Sequence, residues 1–229
     1  MRRPDDTDPL LAALDELARL GTPDDAAALA ALRGRLRDAR LRMLVAGEAK
    51  RGKSTLVNAL LGRAVLPAGV TPLTALPTTV RYGQDEEVRA VFADGRIERF
   101  PLAALEDLVT ERHNPANRRQ LSSVTVRLDV PVLARGAELV DTPGTGSVYE
   151  HNTAAAEAAL DNMDAAVFVL TADPPMSASE RELMTRVVAR SVRLFVVLNK
   201  ADYLTTGELA EAVEFTSQLA AGAAGLPGG

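Results

Sequence analysis

Three short patterns in this chain combine residue types that bind phosphate, a divalent metal and a purine. The first is Gly47-Glu48-Ala49-Lys50-Arg51-Gly52-Lys53-Ser54, which fits G-x-x-x-x-G-K-[ST]. Glycines at its ends let the backbone curl so that several N–H groups point inward at phosphate oxygens. A helix starting there adds partial positive charge from its N-terminus. Lys53 would reach the β- and γ-phosphates, the Ser54 hydroxyl would ligate Mg²⁺, and Thr55 is the next candidate on the phosphate side.

The second pattern is Asp141-Thr142-Pro143-Gly144, after the apolar pair Leu139-Val140. A carboxylate at Asp141 can hold Mg²⁺ directly or through water, and Gly144 lets its backbone N–H approach the γ-phosphate. Alone this is a common turn; downstream of a phosphate loop it acquires meaning. The third is Asn199-Lys200-Ala201-Asp202. The Asp202 carboxylate can accept hydrogen bonds from guanine N1–H and the 2-amino group, which adenine lacks there. Asn199 would brace the loops, and the Lys200 stem would lie along the base. Three ordered motifs at strand ends converge on one crevice in an open α/β sheet, which implies guanine-nucleotide binding.

The elements that must position these residues are readable as alternating apolar runs and helical stripes. Leu41 to Ala46 is a short strand before the first motif, and a helix follows it to about Gly62. Residues 63 to 77 read as a long loop, with Pro67, Gly69, Pro72 and Pro77. Thr78 to Tyr82 and Glu86 to Phe92 are strand-like, and Ala93-Asp94-Gly95-Arg96 reads as a hairpin turn into Ile97 to Phe100. Leu102, Leu105 and Leu108 have helical spacing, whereas Val124, Val126, Leu128 and Val130 alternate as in a half-buried strand. Ala137 to Val140, Ala165 to Leu170 and Val192 to Leu198 are further strands, the last two expected to be buried. Helices are expected at Ala154 to Leu160, Ser177 to Ala189 and Thr206 to Leu219. Such alternation predicts an α/β fold, a three-layer sandwich around a mainly parallel sheet.

Residues 1–40 read as a separate helical segment. Asp8-Pro9 opens one helix with Leu10, Leu14, Leu17 and Ala18 on one face, and Thr22 caps a second with acids in its first turn. Residues 41–219 form the nucleotide domain, and the Ala/Gly/Pro-rich residues 220–229 are expected to be a disordered tail.

Composition narrows the function. With 26 Lys+Arg against 31 Asp+Glu the net charge is −5, which argues against a general nucleic-acid binder. Cysteine is absent, so disulfides and thiolate metal sites are excluded, and two histidines, His113 and His151, are too few for a histidine-built metal site. No window reaches the ~18 apolar residues of a membrane-spanning helix, and the N-terminus lacks the apolar run of a secretory signal. A cytoplasmic location is expected. Met163, Met176 and Met184 are expected to fill gaps in packing, and Glu106, Asp107 and Glu111 to line a solvated helix face.

With these motifs in place, residues 41 to 205 resemble the dynamin-like large GTPases in their bacterial branch. The distinctive stretch is Leu66-Pro67-Ala68-Gly69-Val70-Thr71-Pro72-Leu73-Thr74, after Val57-Asn58-Ala59-Leu60-Leu61-Gly62. The family's switch I threonine matches Thr74, with Thr71 as its rival. The resemblance implies that the Thr74 hydroxyl and carbonyl meet Mg²⁺ and the catalytic water when GTP is bound. Thr145 follows Gly144 where Ras-like enzymes carry a water-orienting glutamine, so slow basal turnover is expected. Lys50 occupies the position of the internal arginine finger of guanylate-binding and atlastin-type relatives, where a cation would offset charge on the transferred phosphoryl group. The competing expectation is that Lys50 and Arg51 point at solvent. Dynamin's own glutamine position is Ala49 here, so its water-positioning scheme does not carry over.

The resemblance also implies a sixth strand of the domain, its guanine-contacting loop, a closing helix and long helical neck and stalk segments beyond Leu219. A C-terminally incomplete domain with one sheet edge open to pairing is therefore expected. The implied activity is hydrolysis of GTP to GDP and phosphate with Mg²⁺, raised by a nucleotide-dependent homodimer or a dynamin-like partner. Full-length relatives would remodel membrane through segments outside this chain. A non-catalytic GTP-binding module or truncated remnant is the alternative. A ribosome- or RNA-associated GTPase has no basic appendage to support it.

Overall fold

In a computed structural model, the chain divides into two compact units, residues 1–40 and 41–229. The structure describes residues 8–20, 22, 25–26, 29–30, 34, 40–68, 76–142, 159–173, 176–190 and 193–223. In the first unit, helix α1 spans Asp8–Leu20. Thr22 then caps the next segment as its sequence suggests. Its backbone N–H donates to Asp25 Oδ2 at 2.9 Å, and Asp25 N–H donates back to Thr22 Oγ1 at 3.3 Å.

The second unit is built on one sheet. In chain order its elements are β1 (Leu41–Ala46), α2 (Lys53–Leu61), β2 (Thr78–Tyr82), β3 (Glu87–Phe92), β4 (Ile97–Phe100), α3 (Leu105–Val109), β5 (Leu121–Leu128), β6 (Ala137–Asp141), β7 (Ala165–Thr171), α4 (Ala178–Arg190), β8 (Leu194–Asn199) and α5 (Thr206–Ala223). The strand order is β4-β3-β5-β2-β6-β1-β7-β8. Strands β6, β1, β7 and β8 run parallel to one another, while β2 meets β6 antiparallel and β3 is antiparallel to both β4 and β5. The α/β three-layer sandwich is thus present, with an antiparallel extension on one side.

Side-chain alternation splits the interior into two cores. Val45 of β1 joins Val57 and Leu61 of α2, Val80, Val88, Val126 and Leu139 on one face. Its neighbours Leu44 and Ala46 join Phe168, Leu170, Leu183, Met184 and Val187 on the other. Strand β7 is buried along its whole length because both layers and both neighbouring strands cover it. Met163 and Met184 are buried in the second core, with Met176 packed against it, as packing residues should be.

Two expectations are corrected. The Val192 to Leu198 run was expected to be a buried strand, but β8 is the last strand in the order. Phe195 is 49% exposed and Val196 38%. An apolar run signals a strand that suits cover on both faces; it does not supply the second neighbour. The final helix also continues past Leu219 to Ala223, so Ala220, Ala221, Gly222 and Ala223 are helical rather than part of a disordered tail. Alanine, the best helix former, sustains it there.

Candidate functional site

Parallel β1, β6, β7 and β8 end on one edge of the sheet, and that edge gathers the sequence motifs. The phosphate loop leaves β1 and enters α2 through two left-handed glycines. Gly47 has φ +139, and a Cβ there would lie 2.5 Å from the Val169 carbonyl oxygen of β7. Gly52 has φ +92, and a Cβ there would overlap the Asn199 side-chain amide. Both positions therefore require glycine for space as well as conformation. If the loop takes guanine nucleotide as the sequence motifs predict, Gly52→Ala is expected to push Asn199 off the loop and weaken that affinity about tenfold or more. Titration of the folded variant with a fluorescent GDP analogue checks this.

Lys50 lies between them with φ 67, a left-handed conformation uncommon for a side-chain-bearing residue, and it is exposed. Lys53 is 7% exposed, and its ammonium donates to the carbonyls of Gly47 and Glu48, each at 3.0 Å. Burial pushes its pKa down, opposed by the nearby charges of Asp141, Glu180 and Glu48. The Ser54 hydroxyl donates to Asp141 Oδ2 at 2.6 Å. Asp141 is 1% exposed, and its Oδ1 has no hydrogen-bond partner among the described residues. Burial pushes that carboxyl above its ordinary value, against the opposing pull of Lys53 and Ser54. Thr142 fixes the end of β6 by donating to the Val45 carbonyl at 2.8 Å.

At the end of β8, Asn199 Nδ2 donates to the Arg51 carbonyl at 2.9 Å, joining the third motif to the first. Lys200 adopts φ 57, and Asp202 lies exposed in a short 3₁₀ turn at Ala201–Tyr203. Thr55 is exposed on α2. The structure thus brings Gly47, Gly52, Lys53, Ser54, Asp141 and Asn199 together. Thr74, its rival Thr71, Gly144, Thr145 and His151 lie outside the described residues.

Arg51 departs from the solvent-facing expectation. It is 4% exposed, and its guanidinium forms a two-armed ion pair with Glu180 of α4: Nε to Oε1 at 2.6 Å and Nη2 to Oε2 at 2.5 Å. A third contact from Nη1 reaches the Thr171 hydroxyl at the end of β7. Glu180 in turn completes a capping box with Ser177, accepting from its N–H at 3.0 Å while Ser177 Oγ accepts from the Glu180 N–H at 3.0 Å. Ser177 also donates to Glu48 Oε1 at 2.6 Å, and Ser179 reaches the same oxygen. Sequence reading missed this group. The Ser177-x-x-Glu180 spacing was its one visible signal, and it marks a helix start rather than a partner for Arg51.

The model of the dynamin family matches residues 43–201 of this chain. The chain belongs to the dynamin family. Among relatives of this dynamin-like chain, a protein from the xynA 3′ region of Caldicellulosiruptor sp. (strain Rt8B.4) is 37% identical over 177 residues, covering 77% of this chain and 44% of that protein. The bacterial dynamin-like protein of Nostoc punctiforme is 30% identical over 172 residues, covering 70% of this chain and 25% of its own length. The chain therefore spans less than half the length of these two curated relatives. Among solved structures, a chain of an oligomerised bacterial dynamin pair, described as a mechanism for long-range sensing and tethering of membranes, is similar at a TM-score of 0.68. It is 25% identical, and the match covers 89% of this chain and 34% of that one. Among the described residues of this dynamin-like chain, no helix is long and apolar enough to cross a membrane.

Proposed function

We propose that the second unit binds GTP through the β1–α2 loop and hydrolyses it to GDP and phosphate with Mg²⁺. The observation that carries this reading is the pairing of buried Lys53 with a Ser54–Asp141 contact on the sheet edge where Asn199 meets the loop. The Lys53 ammonium is held by weak carbonyl acceptors, so a phosphate is a better partner for it than the loop it now rests on. Asp202 reads the guanine edge, with Lys200 beside it, and Thr55 extends the phosphate side of the site.

Magnesium fits the residues present. An orphaned, buried carboxylate oxygen beside a serine hydroxyl is an all-oxygen, hard-donor set. Among the described residues no three His, Cys, Asp or Glu side chains gather to hold a metal by themselves, which suits an ion shared with phosphates. Ser54 and Asp141 would hold it, with Thr74 supplied by switch I. Bound there, the ion would neutralise charge on the phosphates. Gly144 would offer its backbone N–H to the γ-phosphate, and Lys50 would add a cation near the transferred group.

Hydrolysis in this reading rises when two copies meet across the nucleotide, in a cytoplasmic protein whose longer relatives act at membranes. The likeness to an oligomerised dynamin pair supports that part. Binding of a fluorescent GTP analogue and phosphate release are measured across protein concentration. Turnover per molecule rising with concentration is expected. Tight binding with no phosphate release at any concentration would make the chain a nucleotide-binding module instead.

A further inference from the structure

We infer that Arg51 and Glu180 are a positioning pair for the nucleotide: their ion pair holds the phosphate loop in its receiving shape and ties it to the start of α4. The inference rests on the nucleotide-binding reading and adds to it residues that none of the three motifs requires. Arg51 occupies an unspecified position of the phosphate-loop pattern, where many residue types satisfy the motif. Here it is the most heavily bonded residue of the loop. Its backbone carbonyl receives Asn199 of β8, and its guanidinium holds Glu180 of α4 and Thr171 of β7.

The arrangement fixes the loop from outside. The residue preceding it, Lys50, is in the left-handed region, and the one following it, Gly52, is too. Arg51 is thus flanked by two left-handed residues, and its buried guanidinium is engaged by Glu180 of α4 and Thr171 of β7. A loop with these dihedrals resists relaxation only where its surroundings over-determine it. The two-armed guanidinium–carboxylate geometry supplies directional restraint that a single point charge does not. Glu48 adds a second connection to the same helix start, through Ser177 and Ser179, and its Oε2 lies 3.9 Å from Arg51 Nη2. Both links land within four residues of the α4 start, so a shift of that helix and a change in loop shape move together.

The pair is not simply a source of stability. Removing two buried charges from water costs several kcal/mol each, and neutral replacements of similar shape are often tolerated or stabilising. A positioning role predicts that neutral or imperfect replacements fold yet release nucleotide faster. Two variants test this: Arg51→Lys, which keeps the charge and loses the fork, and the double replacement Arg51→Gln with Glu180→Gln, which leaves no buried charge unpaired. Far-UV circular dichroism and thermal melting without nucleotide report folding. Stopped-flow displacement of a fluorescent GDP analogue reports dissociation, and titration reports affinity.

The expected result is wild-type circular dichroism for at least one variant. In that variant GDP affinity falls about tenfold and dissociation accelerates by a similar factor, with association little changed. A folded variant that melts lower but keeps wild-type dissociation would overturn the inference, because the pair would then serve the fold alone. Failure of both variants to fold would overturn it in the same way. If the wild-type chain itself failed to bind the GDP analogue, the nucleotide-binding reading would fall and this inference with it. Wild-type binding with unchanged variants sinks only the present one.

Discussion

Replacing Lys53 by methionine is expected to remove the nucleotide-dependent part of the protein's stability while leaving it folded. Methionine matches the length and flexibility of the lysine stem, so the space beside the loop stays filled. The two hydrogen bonds to the Gly47 and Glu48 carbonyls are lost, but so is the burial cost that depresses the Lys53 pKa. The ammonium has no substitute at the phosphates, and a loss of about 100-fold in GTP affinity, ~2.7 kcal/mol, is expected. At a ligand concentration of about 100 times the wild-type dissociation constant, GTP adds ~2.7 kcal/mol to wild-type stability and only ~0.4 kcal/mol to the variant's. For a chain of this size that is a rise of roughly 5 to 11 °C against about 1 °C. Differential scanning fluorimetry with and without Mg²⁺–GTP reads the contrast. A variant that GTP stabilises as strongly as the wild type would show that Lys53 does not meet the phosphates.

How much of this was legible beforehand depended on whether a feature was local in the chain. The phosphate loop was readable because its glycines, its lysine and its serine sit within eight consecutive residues, and their chemistry follows from that spacing. Face assignment was readable for the same reason: Val124, Val126 and Leu128 alternate, and all three are buried. Neighbourhood was not. Alternation says which side chains share a face but not which strand lies alongside, so the antiparallel meeting of β2 with β6 left no mark in the pattern. The same gap produced the error at β8, where the run Val192 to Leu198 reads as covered yet β8 (Leu194–Asn199) stands at the sheet margin. Arg51 and Glu180 lie 129 residues apart, and nothing in either segment names the other. Their link became visible only when the end of β7 and the start of α4 were placed against the loop.

Asp141→Asn is expected to move stability and function in opposite directions. Burial raises the Asp141 pKa from its ordinary 3.8, so the folded chain favours the protonated carboxyl. A carboxyl raised in this way contributes its full stability below the unfolded value and loses it as the pH climbs through the folded one. Asparagine is neutral at every pH and can still accept from the Ser54 hydroxyl. Without nucleotide and in chelator, the variant should therefore match the wild type in acid below 3.8 and melt progressively higher than it toward neutrality. The variant's melting advantage is expected to be largest at neutral pH, where the buried carboxylate of the wild type would have to be charged. With GTP present the order reverses. Magnesium should tighten GTP binding by the wild type and leave the variant unchanged, because the orphaned oxygen that would face the ion is gone. A residue kept only for packing would not trade the two properties in this way, whereas a buried charge retained for a ligand must. Melting curves from about pH 3 to about pH 8, paired with GTP titrations in magnesium and in chelator, separate the cases. A variant that melts lower than the wild type at neutral pH, or that still responds to magnesium, would mean the carboxylate is held for the fold and not for the metal.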